Sequence, residues 1–235
     1  MWNGKKKAIT FSFDDGVTQD ARAIEILDRY GLRATFNINS SLLGLPGELK
    51  PLGVLVNHSK ISPAKAPAIY GGHEVAVHTL THPNLTTLDE ETVIYQVEED
   101  RQALERLFGK SVVGMAYPCG GVNNDDRTAA IIREHTGVRY ARTITSTHTF
   151  DLPKNLHRLD PSVYYVDKDK LFEMAEAFLA LDPDTPQMFY IWGHTYEMDA
   201  GFITWEEFER LCALISQKPD IFYGTNTEVL SPLFS

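Results

Sequence analysis

Phe11-Ser12-Phe13-Asp14-Asp15-Gly16 sets two adjacent carboxylates at the end of a short apolar run, and His78-Thr79-Leu80-Thr81-His82-Pro83 places two imidazoles four residues apart. Two imidazoles and one carboxylate form a donor set that leaves a divalent cation with net positive charge and open positions. One carboxylate remains to act as a base. That is the equipment of a hydrolase that activates water on a metal. Such a cation lowers the pKa of bound water toward ~7 and polarises a carbonyl. Pro83 after His82 disfavours helical backbone, so the two histidines are not the helical pair of a zinc protease. Singly, each motif has an ordinary reading: Asp-Asp-Gly after a strand is commonly a turn, and two nearby histidines are commonly incidental. Their occurrence together and in this order favours chemistry.

The elements around these motifs alternate. Ala8–Phe13 reads as a strand, residues 18–30 as a helix closed by Gly31, Ala34–Ile38 as a strand, and Glu74–Val77 as the strand that delivers His78. Between them, Ser41–Ala68 holds four prolines and three glycines and reads as an irregular insertion of the kind that forms lids or binding loops. Leu88–Phe108 has the pattern of a long amphipathic helix closed by Gly109. Val112–Tyr117 is a strand leading into Pro118-Cys119-Gly120-Gly121. Helices follow over 125–136 and 168–181, strands over 138–144 and 188–192, and the last of these delivers Gly193-His194. Thr204-Trp205-Glu206-Glu207 is a capping box for a final helix ending before Pro219, and Ile221–Gly224 is a closing strand. Strands alternating with helices predict an α/β fold with a parallel sheet, a deformed (β/α) barrel of about seven strands. In such barrels the strand C-termini carry the active site. Asp14, Asp15, His78, the Pro118 loop and His194 all follow strands.

Composition narrows the partners. A hydrophobic fraction of 43% indicates a globular core, and a net charge of −10 argues against nucleic acid. Lys5-Lys6-Lys7 is the sole basic run and reads as a solvated strand entrance. No stretch approaches the ~20 apolar residues of a membrane span, and no signal-peptide core precedes Asp14, so a cytoplasmic location is expected. Cys119 and Cys212 are too few for a disulfide framework.

Together these residues resemble the NodB-homology polysaccharide deacetylases, carbohydrate esterase family 4. The first motif of that family ends in Asp-Asp-Gly (Asp14-Asp15-Gly16) and the second is His-Ser/Thr-x-x-His (His78 to His82). The third, Arg-x-Pro-x-Gly, is matched only in part by Ala116-Tyr117-Pro118-Cys119-Gly120; the fifth, a strand ending in histidine, by Ile191-Trp192-Gly193-His194. The resemblance runs from residue 8 to about 225 and implies one catalytic domain over 1–235. It implies that Asp15, His78 and His82 bind a divalent metal, zinc foremost with cobalt, nickel or manganese as substitutes. It further implies Asp14 as general base, His194 as general acid, and the Cys119 backbone N–H in an oxyanion hole.

Two departures stand out. Ala116 occupies the place of the arginine that tethers the base, and the fourth motif is not recognisable. Arg142 or Arg158 could supply the tether, and Asp151 or Asp160 could orient His194. Trp192 and Tyr196 could stack on a sugar or simply pack, Glu197 is expected to face solvent, and His58, His73, His135, His148 and His157 are expected in surface or core roles. The reading is a metal-dependent hydrolase that removes acetyl groups from N-acetylated, or O-acetylated, sugars or oligosaccharides. The alternatives are a deformylase or non-sugar amide or imide hydrolase on the same metal site, and a carbohydrate-binding protein without turnover.

Overall fold

The computed structural model describes residues 1–234. Ten strands alternate with eight helices: β1 Lys7–Asp14, α1 Asp20–Arg29, β2 Ala34–Ile38, β3 Glu48–Leu49, β4 Val56–Asn57, α2 Ala66–Ile69, β5 Glu74–Val77, α3 Glu90–Phe108, β6 Gly114–Ala116, α4 Asp126–His135, β7 Tyr140–Arg142, β8 Val163–Tyr164, α5 Lys168–Ala180, β9 Gln187–Gly193, α6 Tyr196–Ala200, α7 Trp205–Ile215, β10 Ile221–Tyr223 and α8 Asn226–Leu230. Seven strands run side by side in the order β7-β6-β5-β2-β1-β9-β8, and β10 joins β1. Each pairing in this sheet is parallel. It curls into an open half-barrel, the deformed barrel that the alternation predicts.

Strand β1 organises it. One edge pairs with β9 from Lys7 to Phe13, while the other is shared, β10 taking Lys7–Ile9 and β2 taking Phe11–Asp14. The period of two along β1 separates two environments. Ile9, Phe11 and Phe13 point outward into the helix-covered core, where Phe11 and Phe13 meet Phe208 of α7 edge-on. Thr10, Ser12 and Asp14 point inward and hydrogen-bond Asn226, Asn37 and Arg142. The helices therefore rest on an apolar face, and the barrel interior is polar near the site. Below it a second cluster (Ala8, Tyr140, Met188, Tyr190) fills the interior.

The opening between β7 and β8 is spanned by one stretch of chain. The Leu159 N–H bonds Ala141 O at 2.9 Å, and three residues on the Ser162 N–H bonds Tyr190 O on β9 at 2.9 Å.

Helix ends follow the sequence signals. Asp89 caps α3 at Thr92 N–H, Gly109 ends it in the left-handed region (φ 63°), and Asp125 and Thr204 form capping boxes on α4 and α7. Outside the insertion, three elements are additions to the expected set: β8, α6 and α8. Lys7 is a correction. Its ammonium is buried and pairs with Asp220 at 2.7 Å while donating to Phe178 O and Leu179 O at the end of α5, so the basic run is solvated only in part. The expected insertion is irregular, built from a two-residue hairpin (β3–β4), short turns and α2. It exposes Leu45, Leu52, Val54 and Leu55. Among the described residues no helix is long and apolar enough to cross a membrane.

Candidate active site

The C-terminal ends of β1, β5, β6 and β9 open onto a cavity of about 630 Å³ lined by Asp14, Asp15, His78, His82, Cys119 and His194 among others. The sheet register places these ends together. Asp14 is level with Asn37 of β2, and Phe13 with Gly193 of β9, so the residues just beyond the strands converge. Gly193 has to be glycine here: a Cβ would lie 1.7 Å from the Tyr165 ring.

Asp15, His78 and His82 form a three-donor group whose ligand atoms all lie within 4.8 Å of one another. Asp15 Oδ1 is 3.8 Å from His78 Nε2 and 3.5 Å from His82 Nε2. A tetrahedral zinc with bonds of ~2.0–2.1 Å separates its donors by roughly 3.3 Å, so the group fits a small divalent cation after slight contraction. The His78 Nδ1–H donates to Ala116 O at 2.9 Å, which leaves the Nε2 lone pair facing the other two donors. Burial pushes the His78 imidazolium down to about 4, and His82 is lowered for the same reason, so both rings are neutral and available as donors at pH 7.

The loop that carries His78 is held from below. Asp100 of α3 accepts from Ser40 N–H at 2.7 Å and His78 N–H at 3.2 Å, and Asn39 Nδ2 donates to the His78 and Thr79 carbonyls. Asp15, Thr79, His82 and Cys119 all have positive φ without being glycine. Such strained backbone persists where surrounding contacts over-determine it, and here it gathers at one cavity.

Asp14 is buried. Arg142 Nη2 reaches its Oδ1 and Oδ2 at 2.6 and 2.5 Å, and Asn37 Nδ2 donates to Oδ1 at 2.8 Å. Burial raises the Asp14 carboxyl, but Arg142, His78 and His194 outweigh it and hold the group below its usual range. Arg142 is itself held by Ser12 Oγ and Thr143 O and lies over the Trp192 ring at 4.5 Å. Of the two candidate tethers, then, Arg142 meets Asp14, whereas Arg158 bonds Asn124 and Asp126.

The partner of His194 is a correction. Asp160 bonds Thr143, and Asp151 has no contact with His194. Glu197, expected in solvent, is buried and holds His194 twice. Its Oε2 accepts from the His194 N–H at 2.9 Å, and its Oε1 lies 3.2 Å from Nδ1 in an ion-pair contact without linear hydrogen-bond geometry. Tyr164 donates to the same Oε1. Burial lowers the His194 imidazolium, but Glu197, Asp15 and Asp14 outweigh it and push it up to about 9. Its Nε2 lies 3.9 Å from Asp14 Oδ2. The signal for Glu197 was local: a glutamate three residues on reaches back to a backbone N–H, as in a capping box.

His58 also departs from expectation. Its Nε2 lies 3.1 Å from Asp15 Oδ2, and its ring meets Tyr196 edge-on. It had no recognisable signal, since the insertion has no periodicity. His73 and His157 bond backbone and Asp28 as structural residues, and His135 and His148 are exposed. Trp192 is packed between Tyr164, stacked at 4.2 Å, and Arg142, so neither ring face is open to a sugar. Tyr196 lines the cavity.

Cys119 Sγ lies 3.8 Å from His82 Nδ1, and burial raises the thiol, which keeps it protonated. Asn123 Nδ2 collects the carbonyls of Tyr117, Pro118 and Cys119. The Cys119 N–H finds no acceptor among the described residues. Cys212 is buried in α7.

The fold and this grouping define an enzyme-like cleft at the open end of a NodB-type barrel. Residues 2–141 match the polysaccharide deacetylase family, and the chain belongs to it. Chitin deacetylase 3 of Cryptococcus neoformans var. neoformans serotype D is 33% identical over 130 residues, 53% of this chain and 28% of that protein. The matched region thus spans little more than a quarter of that relative. Among solved structures, a mutant CE4 family pseudoenzyme with restored enzymatic activity aligns over 97% of this chain and 68% of its own, with 18% identity and a TM-score of 0.61. The Xyl-CE4 domain of a multidomain xylanase from the hindgut metagenome of Trinervitermes trinervoides aligns over 98% and 92%, with 16% identity and a TM-score of 0.59. At these identities the structures speak for the fold.

Proposed function

We propose that the protein is a metal-dependent hydrolase that removes the acetyl group of an N-acetylated sugar or oligosaccharide. The observation that carries this reading is the meeting, in one cavity, of a three-donor group with an arginine-held carboxylate and a glutamate-held imidazole. A divalent cation held by Asp15, His78 and His82, zinc foremost, would supply Lewis-acid polarisation of the acetyl carbonyl and acidify water at neutral pH.

The chain's own groups do the rest. Asp14, kept ionised by Arg142, takes the proton of the attacking water, a contribution on the order of 10²–10⁴-fold. The free Cys119 N–H donates to the oxygen on which charge develops. His194, protonated through neutral pH, gives its proton to the departing amine, which is a poor leaving group until protonated. Glu197 keeps that imidazolium charged and fixed, and Tyr164 keeps Glu197 in place.

Alanine at position 116, in the place of the tethering arginine, is the one sequence feature that favours a binding protein without turnover. Arg142 reaching the carboxylate from β7 supports turnover instead. The test is acetate release from a panel of N- and O-acetylated glycans with zinc or cobalt added and a chelator control. Chelator-sensitive release from an N-acetylated sugar is expected. Metal binding at one ion per chain with no acetate from any glycan would overturn the acetyl-sugar reading in favour of another amide or an imide.

A further inference from the structure

The backbone of Asp15 is pinned, with φ 84° and its N–H on Asn37 O at 3.0 Å, but rotation about the last side-chain bond would still exchange its two oxygens. Oδ1 is the oxygen nearer both imidazoles, 3.8 Å from His78 Nε2 and 3.5 Å from His82 Nε2. Oδ2 is taken by His58 Nε2 at 3.1 Å. An ionised carboxylate only accepts, so that nitrogen carries the hydrogen. Lys60 stands 3.6 Å from Oδ1 and pairs with it by charge, which leaves His58 as the hydrogen bond that tells the two oxygens apart. His58 is not itself one of the grouped donors.

His58 is held on several sides. Its N–H bonds Gly47 O at 2.8 Å, and its ring meets Tyr196 edge-on at 5.0 Å. Thr18 N–H bonds Ser59 O at 3.0 Å and Ile61 N–H bonds Gly16 O at 2.9 Å, so the residues after His58 are stitched alongside the turn that follows Asp15. The approach at Gly47 admits no side chain, since a Cβ there would lie 2.9 Å from His58 O. Asp14, His78 and His194 have comparable partners in Arg142, Ala116 O and Glu197, all supplied by barrel strands or by the turn after β9. For Asp15 the partner comes from the insertion.

We propose that His58 is the positioning residue of the metal-binding carboxylate, keeping Oδ1 toward the two imidazoles and Oδ2 out of the donor set. Partners that orient a ligand in this way are worth about 10–100-fold in metal affinity. The inference rests on the metal-binding part of the deacetylase reading and adds to it a residue from outside the strand ends.

The experiment measures zinc affinity by chelator competition, and the visible absorption of the cobalt-loaded protein, for wild type, His58→Phe and His58→Gln. Phenylalanine keeps a ring against Tyr196 and loses the N–H, whereas glutamine returns an N–H donor at similar reach. His58→Phe is expected to weaken zinc by about 10–100-fold and to alter the cobalt band, because Asp15 can then turn or bind through both oxygens. His58→Gln is expected to bring both back toward wild type. Urea unfolding of the metal-free proteins checks that each variant is folded, and His58→Leu replaces His58→Phe if that one is not. Zinc held as tightly as in wild type, or more tightly, when the N–H is removed overturns the proposal, because His58 is then only packing or a counter-charge. Equal weakening in His58→Phe and His58→Gln also overturns it, because His58 is then a donor to the ion rather than to Asp15. If the wild type binds zinc but no glycan releases acetate, the deacetylase reading fails, and the zinc affinities still decide His58.

Discussion

The two walls of the cleft are built in different ways. One consists of the ends of β1, β5, β7 and β9, where Asp14, His78, Arg142 and Trp192 are almost wholly buried and tied into continuous hydrogen-bond and stacking networks. The other consists of the insertion over 41–68, with a two-residue hairpin, turns, and apolar side chains left in water. The first wall holds each charge against a buried partner, Asp14 on Arg142 and His194 on Glu197. The second has little core of its own; it lines the cavity with Leu42, Leu49, His58 and Lys60, of which His58 and Lys60 face Asp15. In a fold that keeps its reaction on strand ends, such an insertion can change what is recognised without disturbing the groups that move protons.

Substitutions on the first wall should therefore be severe. Asp14→Asn is expected to lower acetate release on the order of 10²–10⁴-fold while zinc stoichiometry, measured by atomic emission, stays at one per chain. Equal loss of metal and turnover would mean that the two carboxylates are not divided between two tasks.

Arg142→Met should cost about 3–5 kcal/mol in urea unfolding, because it strands a buried carboxylate. The sign with pH is fixed. Asp14 has its carboxyl depressed in the folded protein, so its contribution is present above the unfolded value near 3.9 and lost as pH falls through the folded value. In Arg142→Met burial is opposed only by His78, His194 and the Asn37 hydrogen bond, so the carboxyl rises and the acid limb of the rate profile should move toward neutral pH.

Glu197→Gln is smaller, roughly tenfold in kcat, with a more telling shift. The alkaline limb should fall from about 9 toward the ordinary histidine range, since the largest group holding His194 protonated is gone. An unmoved limb would assign it to another group.

On the second wall, Leu52→Ser, at a side chain 76% exposed, should change stability by less than about 0.5 kcal/mol in the same urea titration. A large loss there would show the insertion to be as tightly built as the barrel and would erase the contrast.

What the sequence disclosed follows the same division. The strands delivering Asp14, His78 and His194 are apolar runs ended by turn residues, and their boundaries could be read to within a residue or two. Arg142 was nameable but not separable from Arg158. That choice depends on which face of a three-residue strand points into the barrel, which the pairing of β7 with β6 decides. Glu197 was misplaced because an acidic residue in a polar stretch reads as exposed. Its burial is the work of Tyr164 on β8, a two-residue strand with no periodicity to detect. His58 and Lys60 lie where no pattern exists, and only the backbone stitching to Gly16 and Thr18 brings them to Asp15.

The shared edge of β1 has a consequence for how the protein is made. The strand bearing Asp14 lies between a partner found some 25 residues later and partners at 187–193 and 221–223, and Trp2 bonds Val229. A ribosome therefore exposes more than half of this strand's hydrogen-bonding edges long before the matching segments have been synthesised. Contacts of such long sequence separation are paid for late, which makes folding slow and leaves nascent chains open to mispairing. A chain arrested before β9 can pair the strand end that bears the two aspartates with β2, but it lacks the whole opposite edge of β1 and the strand that delivers His194.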